Sequence, residues 1–203
     1  MAYRAHIHRA SRRAGWPAAQ QRACRAEKVC GDGFNLGGRI VVGVPAGYSG
    51  QGFSLRGEKG RLVLPPDFRK AFADAGDERI LCLTKHERWN CLMGFGLSRT
   101  ASFEEQLQRE EDRAARTNQE FDYDMRAQQL WGFTKLPFDA SGRFVLPDHL
   151  AELGRLGEAV YFNGAGSYFT LWSPEELHAM PKGFETAQAN CRQLETEAKG
   201  KRK

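Results

Sequence analysis

The 203-residue chain has no apolar run approaching the length needed to span a bilayer, so a helical membrane span is excluded. It also lacks, near its start, the roughly 7–15-residue apolar centre of a secretory signal, so export is not supported. Its five cysteines, Cys24, Cys30, Cys82, Cys91 and Cys191, form no C-x-x-C pair. An odd number at irregular spacing argues against a disulfide framework or a zinc site and for reduced thiols in a cytoplasm. Histidine is scarce. His6 and His8 make a His-x-His pair with no third ligand at metal-site spacing, while His86, His149 and His178 are scattered over turn and helix positions. There is no Walker loop, no nucleophile elbow and no Ser/His/Asp set, and Gly164-Ala165-Gly166 is too short for a dinucleotide loop. The sequence therefore reads as a non-enzyme with no cofactor, no metal and no small-molecule substrate.

The net charge of +5 is unevenly distributed. Residues 1–47 hold eight Lys or Arg against Glu27 and Asp32, a surplus of +6, so the other 156 residues sum to −1. A partner of opposite charge must therefore be met by local clusters rather than by the field of the whole chain. Arg56, Lys59, Arg61, Arg69 and Lys70 form such a cluster, with only Glu58 and Asp67 as acids among them. Residues 1–47 are Arg-, Ala- and Gly-rich without sustained periodicity. They read as a disordered basic arm, an organellar-type targeting segment, or, the preferred reading, an upstream extension of no structural consequence.

What the chain does contain is an internal repeat. Gly57-Glu58-Lys59-Gly60-Arg61-Leu62-Val63-Leu64-Pro65 returns 82 residues later as Asp139-Ala140-Ser141-Gly142-Arg143-Phe144-Val145-Leu146-Pro147. Each copy joins a turn glycine to an arginine, a β-rich apolar run and a proline suited to a helix start. Short helices that can cap at an early Asp (Asp67, Asp148) and stop at a glycine (Gly76, Gly157) are expected next. Two hairpins follow, from Ile80–Thr84 with Trp89–Met93 and from Ala159–Phe162 with Tyr168–Trp172. Phe53, Phe68, Phe72, Phe144, Phe162, Tyr168 and Trp172 fall at positions expected to pack a core, while Trp89 and Trp131 suit interfaces. Between the copies, residues 101–130 are charged with helical spacing of Phe103, Leu107, Ala114, Phe121, Met125 and Leu130, which predicts two helices broken near Thr117-Asn118. Ser173-Pro174-Glu175-Glu176 is a helix start, and residues 184–198 are expected to be helical.

These residues support a resemblance. The chain resembles the MraZ family of bacterial proteins, which carry an Asp-x-x-x-Arg signature in each of two tandem units. Asp139 to Arg143 match that signature in full, and the lead-in Tyr48-Ser49-Gly50-Gln51-Gly52-Phe53-Ser54-Leu55 is similar to the family's opening strand. Coverage runs from about Tyr48 to about Thr186. The first copy departs from the pattern in having Gly57 where the family has Asp, which leaves Arg61 less firmly held than Arg143 if that aspartate caps the turn. The resemblance implies an α+β fold of two tandem swapped-hairpin (SpoVT/AbrB-like) β-barrel units with helical appendages. The expected division is 1–47 as the basic extension, 48–97 as the first unit, 98–132 as a helical connector, 133–173 as the second unit and 174–203 as a helical tail. It further implies a sequence-specific DNA-binding transcriptional regulator, read as a repressor at the promoter of a cell-division and cell-wall gene cluster. Such a protein would bind repeated sites as a homo-oligomeric ring, cytoplasmic and nucleoid-associated.

The residue chemistry accommodates that implication. A guanidinium is always charged, and its planar fork clasps a phosphate or pairs with guanine O6 and N7. The expected DNA-binding set is Arg61 and Arg143, projected by Gly60 and Gly142, with Asp139 at the second turn, Lys59 on phosphate and Arg56 as a weaker contact. The bland alternative has both arginines tie their own turns to a nearby carboxylate or carbonyl. At the level of the whole chain, the rival is a ring-forming scaffold for protein partners. An antitoxin-like regulator is disfavoured, because chains of that kind carry a single unit.

Overall fold

The computed structural model describes residues 47–200. The readings made for residues 1–46, including His6, His8, Cys24 and Cys30, lie outside the described residues.

Each copy of the repeat contributes four strands and a short helix. The first gives β1 (Gln51–Leu55), β2 (Arg61–Val63), α1 (Pro66–Asp74), β3 (Ile80–Lys85) and β4 (Leu92–Gly96). A 3-10 segment at Leu97–Ser102 leads into α2 (Phe103–Arg116) and α3 (Tyr123–Trp131). The second copy gives β5 (Thr134–Pro137), β6 (Arg143–Val145), α4 (Asp148–Leu153), β7 (Ala159–Gly164) and β8 (Phe169–Trp172), then α5 (Pro174–His178) and α6 (Glu185–Gly200). The fold is α+β and every strand pairing is antiparallel.

The two halves exchange partners. One sheet runs β1-β7-β8-β4-β3-β5, so the opening strand of each copy lies against the hairpin of the other copy. Phe53 faces Tyr161 across one such junction, and Leu81 faces Leu136 across the other. The two hairpins meet in the middle, where Leu92 faces Leu171 and Gly94 faces Phe169. A Cβ on Gly94 would lie 2.6 Å from the Phe169 ring, so the central crossing demands a residue without one. The remaining strands, β2 and β6, form a separate two-stranded ribbon.

Burial explains why this arrangement holds. Leu62, Leu64, Phe68 and Phe72 of the first copy and Phe144, Leu146 and Leu150 of the second enter one continuous core with Phe162, Phe169 and Leu171. Tyr48, Phe68, Phe72 and Phe169 pack at ring-centroid distances of 4.8–6.5 Å. A second cluster of Cys91, Tyr161, Trp172, Leu177 and Cys191 is closed by Trp89 and Phe184, so Trp89 lies within one chain's packing. Trp131 is 42% exposed. Arg99 sits over the rings of Phe95, Phe103 and Tyr168 at 5.0–5.7 Å, tying the start of the connector to the sheet.

Several local expectations require correction. The first hairpin's second strand is Leu92–Gly96 rather than Trp89–Met93. His86 stacks on Trp89 at 4.4 Å, and its Nδ1 accepts from the Arg88 and Trp89 amides, which draws that stretch into the turn. Helices α1 and α4 have prolines, Pro65 and Pro147, at the N-cap, with Asp67 and Asp148 in the first turn and no side-chain cap. Helix α1 ends at Asp74 and is followed by Gly76 with φ +71°, whereas α4 stops at Gly154, short of Gly157, and the left-handed position after it falls to Arg155, φ +51°. The connector breaks at Asn118, φ +50°, and α3 is capped where Asp122 accepts from the Met125 amide.

Candidate nucleic-acid interface

The ribbon brings the two copies of the repeated motif face to face. Its register sets Arg61 opposite Val145, Leu62 opposite Phe144 and Val63 opposite Arg143. Residues directly opposed in an antiparallel pair share a face and neighbours along a strand alternate. Leu62 (0% exposed) and Phe144 (2%) therefore point into the core, while Arg61, Val63, Arg143 and Val145 share the outer face. A shallow cavity of about 480 Å³ opens beside this face, bounded by Arg61, Asp139, Arg143 and Val145.

The turns behind the arginines are locked across the halves. The Leu64 amide donates to the Gly142 carbonyl at 2.8 Å, and the Leu146 amide donates to the Gly60 carbonyl at 3.0 Å. Gly60 (φ +71°) and Gly142 (φ +83°) occupy the left-handed region, and a Cβ on either would lie 2.9 Å from the carbonyl oxygen of Leu146 or Leu64. Glycine is thus required at both positions by backbone and by space.

The two turns then differ. Asp139 Oδ1 accepts from the Ser141 amide (2.9 Å), the Ser141 hydroxyl (2.7 Å) and the Arg143 amide (2.9 Å). Those donors, the Ser141 hydroxyl foremost, hold its carboxyl below the usual aspartate range. The aspartate therefore caps the turn and grips the backbone of Arg143 rather than its guanidinium. Gly57 offers no such brace, and Lys59 adopts φ +57° in its place. Gly57 itself is extended, with room for a Cβ at ordinary contact, 3.6 Å from the Arg61 carbonyl.

Two further arginines back the turns. The Arg56 Nη2 donates to Asp148 Oδ1 at 2.7 Å, with the Arg56 side chain 22% exposed, and its guanidinium lies against Gly60. Arg69 of α1 reaches under the second turn and donates to the Ala140 carbonyl at 3.2 Å. The guanidinium groups of Arg61 and Arg143 take part in no hydrogen bond or ion pair among the described residues. Lys59 is exposed at the tip of the first turn.

The exposed valines were hidden in the sequence by the apolar run Leu-Val-Leu. The signal available was the period of two, which sends Leu62 and Leu64 inward and Val63 outward. A larger cavity, about 1020 Å³, lies away from the ribbon beside Tyr48, Arg99 and the Gly164–Ser167 turn. Among the described residues no group of three or more His, Cys, Asp or Glu could hold a metal ion, and no helix is long and apolar enough to cross a membrane.

Fold and site together define an α+β protein of two interlocked copies of one unit that share a solvent-facing pair of arginines. No family model matches the chain. It is similar to proteins named transcriptional regulator MraZ from three bacteria. With that of Parvibaculum lavamentivorans it is 37% identical over 117 residues, 57% of this chain and 69% of the relative. With that of Rhodospirillum rubrum it is 33% identical over 122 residues, 60% of this chain and 76% of the relative. With that of Gluconacetobacter diazotrophicus it is 31% identical over 147 residues, 71% of this chain and 87% of the relative. The chain belongs to the MraZ family.

Proposed function

We propose that this protein is a transcriptional regulator that binds double-stranded promoter DNA sequence-specifically through the outer face of the β2–β6 ribbon. The observation that carries the reading is the convergence of the two repeated Gly-Arg motifs on one solvent face, with neither guanidinium in a hydrogen bond or ion pair among the described residues. A major groove about 12 Å wide admits a two-stranded ribbon. In this reading Arg61 and Arg143 contact base edges, Lys59 contacts phosphate, Gly60, Gly142 and Asp139 shape the turns, and Arg56 buttresses the first turn through Asp148. The strand exchange supports assigning the two halves to the swapped-hairpin SpoVT/AbrB-like class, with units at 48–97 and 133–173, the connector at 98–132 and the tail at 174–203. Repression at a division and cell-wall promoter, assembly as a homo-oligomeric ring on repeated sites and a cytoplasmic, nucleoid-associated location complete the proposal, as what the resemblance to the family implies.

The test is selection of bound duplex from a random library by the purified full chain, repeated with Arg61→Ala and Arg143→Ala and followed over salt. The expected result is a preferred sequence for the wild type, a steep fall of affinity as salt rises, and a loss of about tenfold or more per arginine with the preference relaxed. An oligomer that falls apart on Arg143→Ala, with no sequence selected by the wild type, would instead support the scaffold.

A further inference from the structure

The outer face of the ribbon carries two valines as well as two arginines, and DNA binding by positive charge alone leaves them unexplained. Val63 is 46% exposed and Val145 52%, and few other large apolar side chains of the described residues are left in solvent. They occupy equivalent positions in the two copies of the repeat. The register places Val63 directly across from Arg143, and Val145 directly across from Arg61. The four side chains thus form a quadrilateral with arginines on one diagonal and valines on the other.

We infer that Val63 and Val145 are specificity-determining residues that read thymine through its C5 methyl group. The inference rests on the DNA-binding reading and deepens it. An isopropyl group neither donates nor accepts a hydrogen bond. Against the edge of guanine, adenine or cytosine it would strip water from a donor or acceptor and leave that group unpaired. The thymine methyl is the apolar feature of the major groove and the one partner that gains from the contact. Geometry fixes where that thymine lies. Directly opposed residues are about 4.5–5.5 Å apart, alternate residues on a strand are about 6.6–6.8 Å apart, and base pairs rise about 3.4 Å each. A guanine clasped by Arg61 or Arg143 therefore has a valine-read thymine within about two base pairs of it, once for each half of the ribbon.

The closing experiment uses the full chain and the duplex it selects from a random library. Each thymine of that duplex is replaced in turn by uracil, which removes only the methyl. Wild-type affinity is expected to fall about fourfold at a contacted thymine, the loss of one buried methyl. Val63→Ser with Val145→Ser should bind the parent duplex more weakly and bind the thymine and uracil duplexes equally. Because the readout is a ratio on one protein preparation, a lowered folded fraction cancels. Valine variants that keep the wild-type thymine-to-uracil ratio would overturn the inference. So would valine variants that change the oligomeric state by sedimentation and leave the ratio untouched, since that result assigns the valines to a subunit contact. Selection of a duplex whose binding depends on Arg61 and Arg143 but on no thymine methyl overturns the valine assignment alone. Failure to select any duplex overturns the DNA reading with it.

Discussion

Lys59 offers the sharpest test of the asymmetry between the two turns. A residue with a side chain in the left-handed region carries a strain of about 1–2 kcal/mol, because its Cβ crowds the following carbonyl. Lys59, at φ +57°, carries it, whereas Ala140 and Ser141 of the second turn do not take positive φ. Replacement by glycine removes the strain and in exchange loosens the unfolded chain by about 0.4–1 kcal/mol. The net expectation for Lys59→Gly is a gain of about 0.5–1 kcal/mol, or roughly 1–4 °C in Tm for a domain of this size. Lys59→Ala is the control, since alanine meets the same steric obstacle, and it should change stability by less than about 0.5 kcal/mol. Urea unfolding without DNA, followed by circular dichroism, measures both, with an unchanged m-value showing that the compactness of the end states is preserved. If the glycine and alanine variants unfold at the same midpoint, the strain is not at Lys59 and the account of the first turn fails.

Gly57→Asp, at a position with space for the side chain, is expected to reproduce the Asp139 brace, its carboxylate taking the Arg61 amide from the Glu58 carbonyl, and to raise the hydrogen-exchange protection of that amide; unchanged protection would show that the turn cannot adopt the second copy's geometry. Leu62→Ala and Phe144→Ala remove the ribbon's inward anchors and should lower stability by about 2–5 and 3–5 kcal/mol in urea titrations. His86 has its pKa lowered chiefly by burial, and its Nδ1 accepts two amide hydrogens, so its contribution to stability is complete above about pH 6.5, the unfolded value, and is lost as pH falls toward the folded value. His86→Gln should flatten that slope in thermal melts between about pH 7 and 5. Burial pushes the thiols of Cys82, Cys91 and Cys191 up to about 11, 12 and 11, so native alkylation near pH 8 followed by mass spectrometry should leave all three unmodified, and unfolding should expose them.

Features set by local chemistry were legible in the sequence, and features set by long-range choice were not. Gly60 and Gly142 announced left-handed turns, Thr117-Asn118 announced the break between α2 and α3, and Pro174 announced α5, because each acts within its own few residues. The strand lies at Leu92–Gly96, three residues beyond the expected Trp89–Met93, and it runs through two glycines that have low strand propensity. Gly94 is in fact demanded by the Phe169 ring, and a Cβ on Gly96 would meet the Asp77 carboxylate. The choice of strand partners leaves no local trace. The alternation in Phe53-Ser54-Leu55 suits pairing with either hairpin, and only the completed core selects β7. For the same reason the sequence named Arg61 and Arg143 separately, while their meeting across one ribbon, with Val63 and Val145 beside them, came from the register.

The exchange of strands has a consequence for what the ribbon can distinguish. Each turn is held by the opposite half, through Leu64 and Arg69 on one side and Leu146 and the Arg56–Asp148 pair on the other, so neither arginine is positioned by its own repeat alone. Joining both copies in one chain frees them to diverge, as a homodimer of a single unit could not. They have diverged in how tightly each turn is braced, by Asp139 in one and by Arg56 beneath a strained Lys59 in the other. A perfectly two-fold ribbon would meet a duplex equally well in either direction. This ribbon has two unequal ends, so in the proposed reading its binding has a polarity, and directly repeated sites would be occupied by subunits that all face the same way.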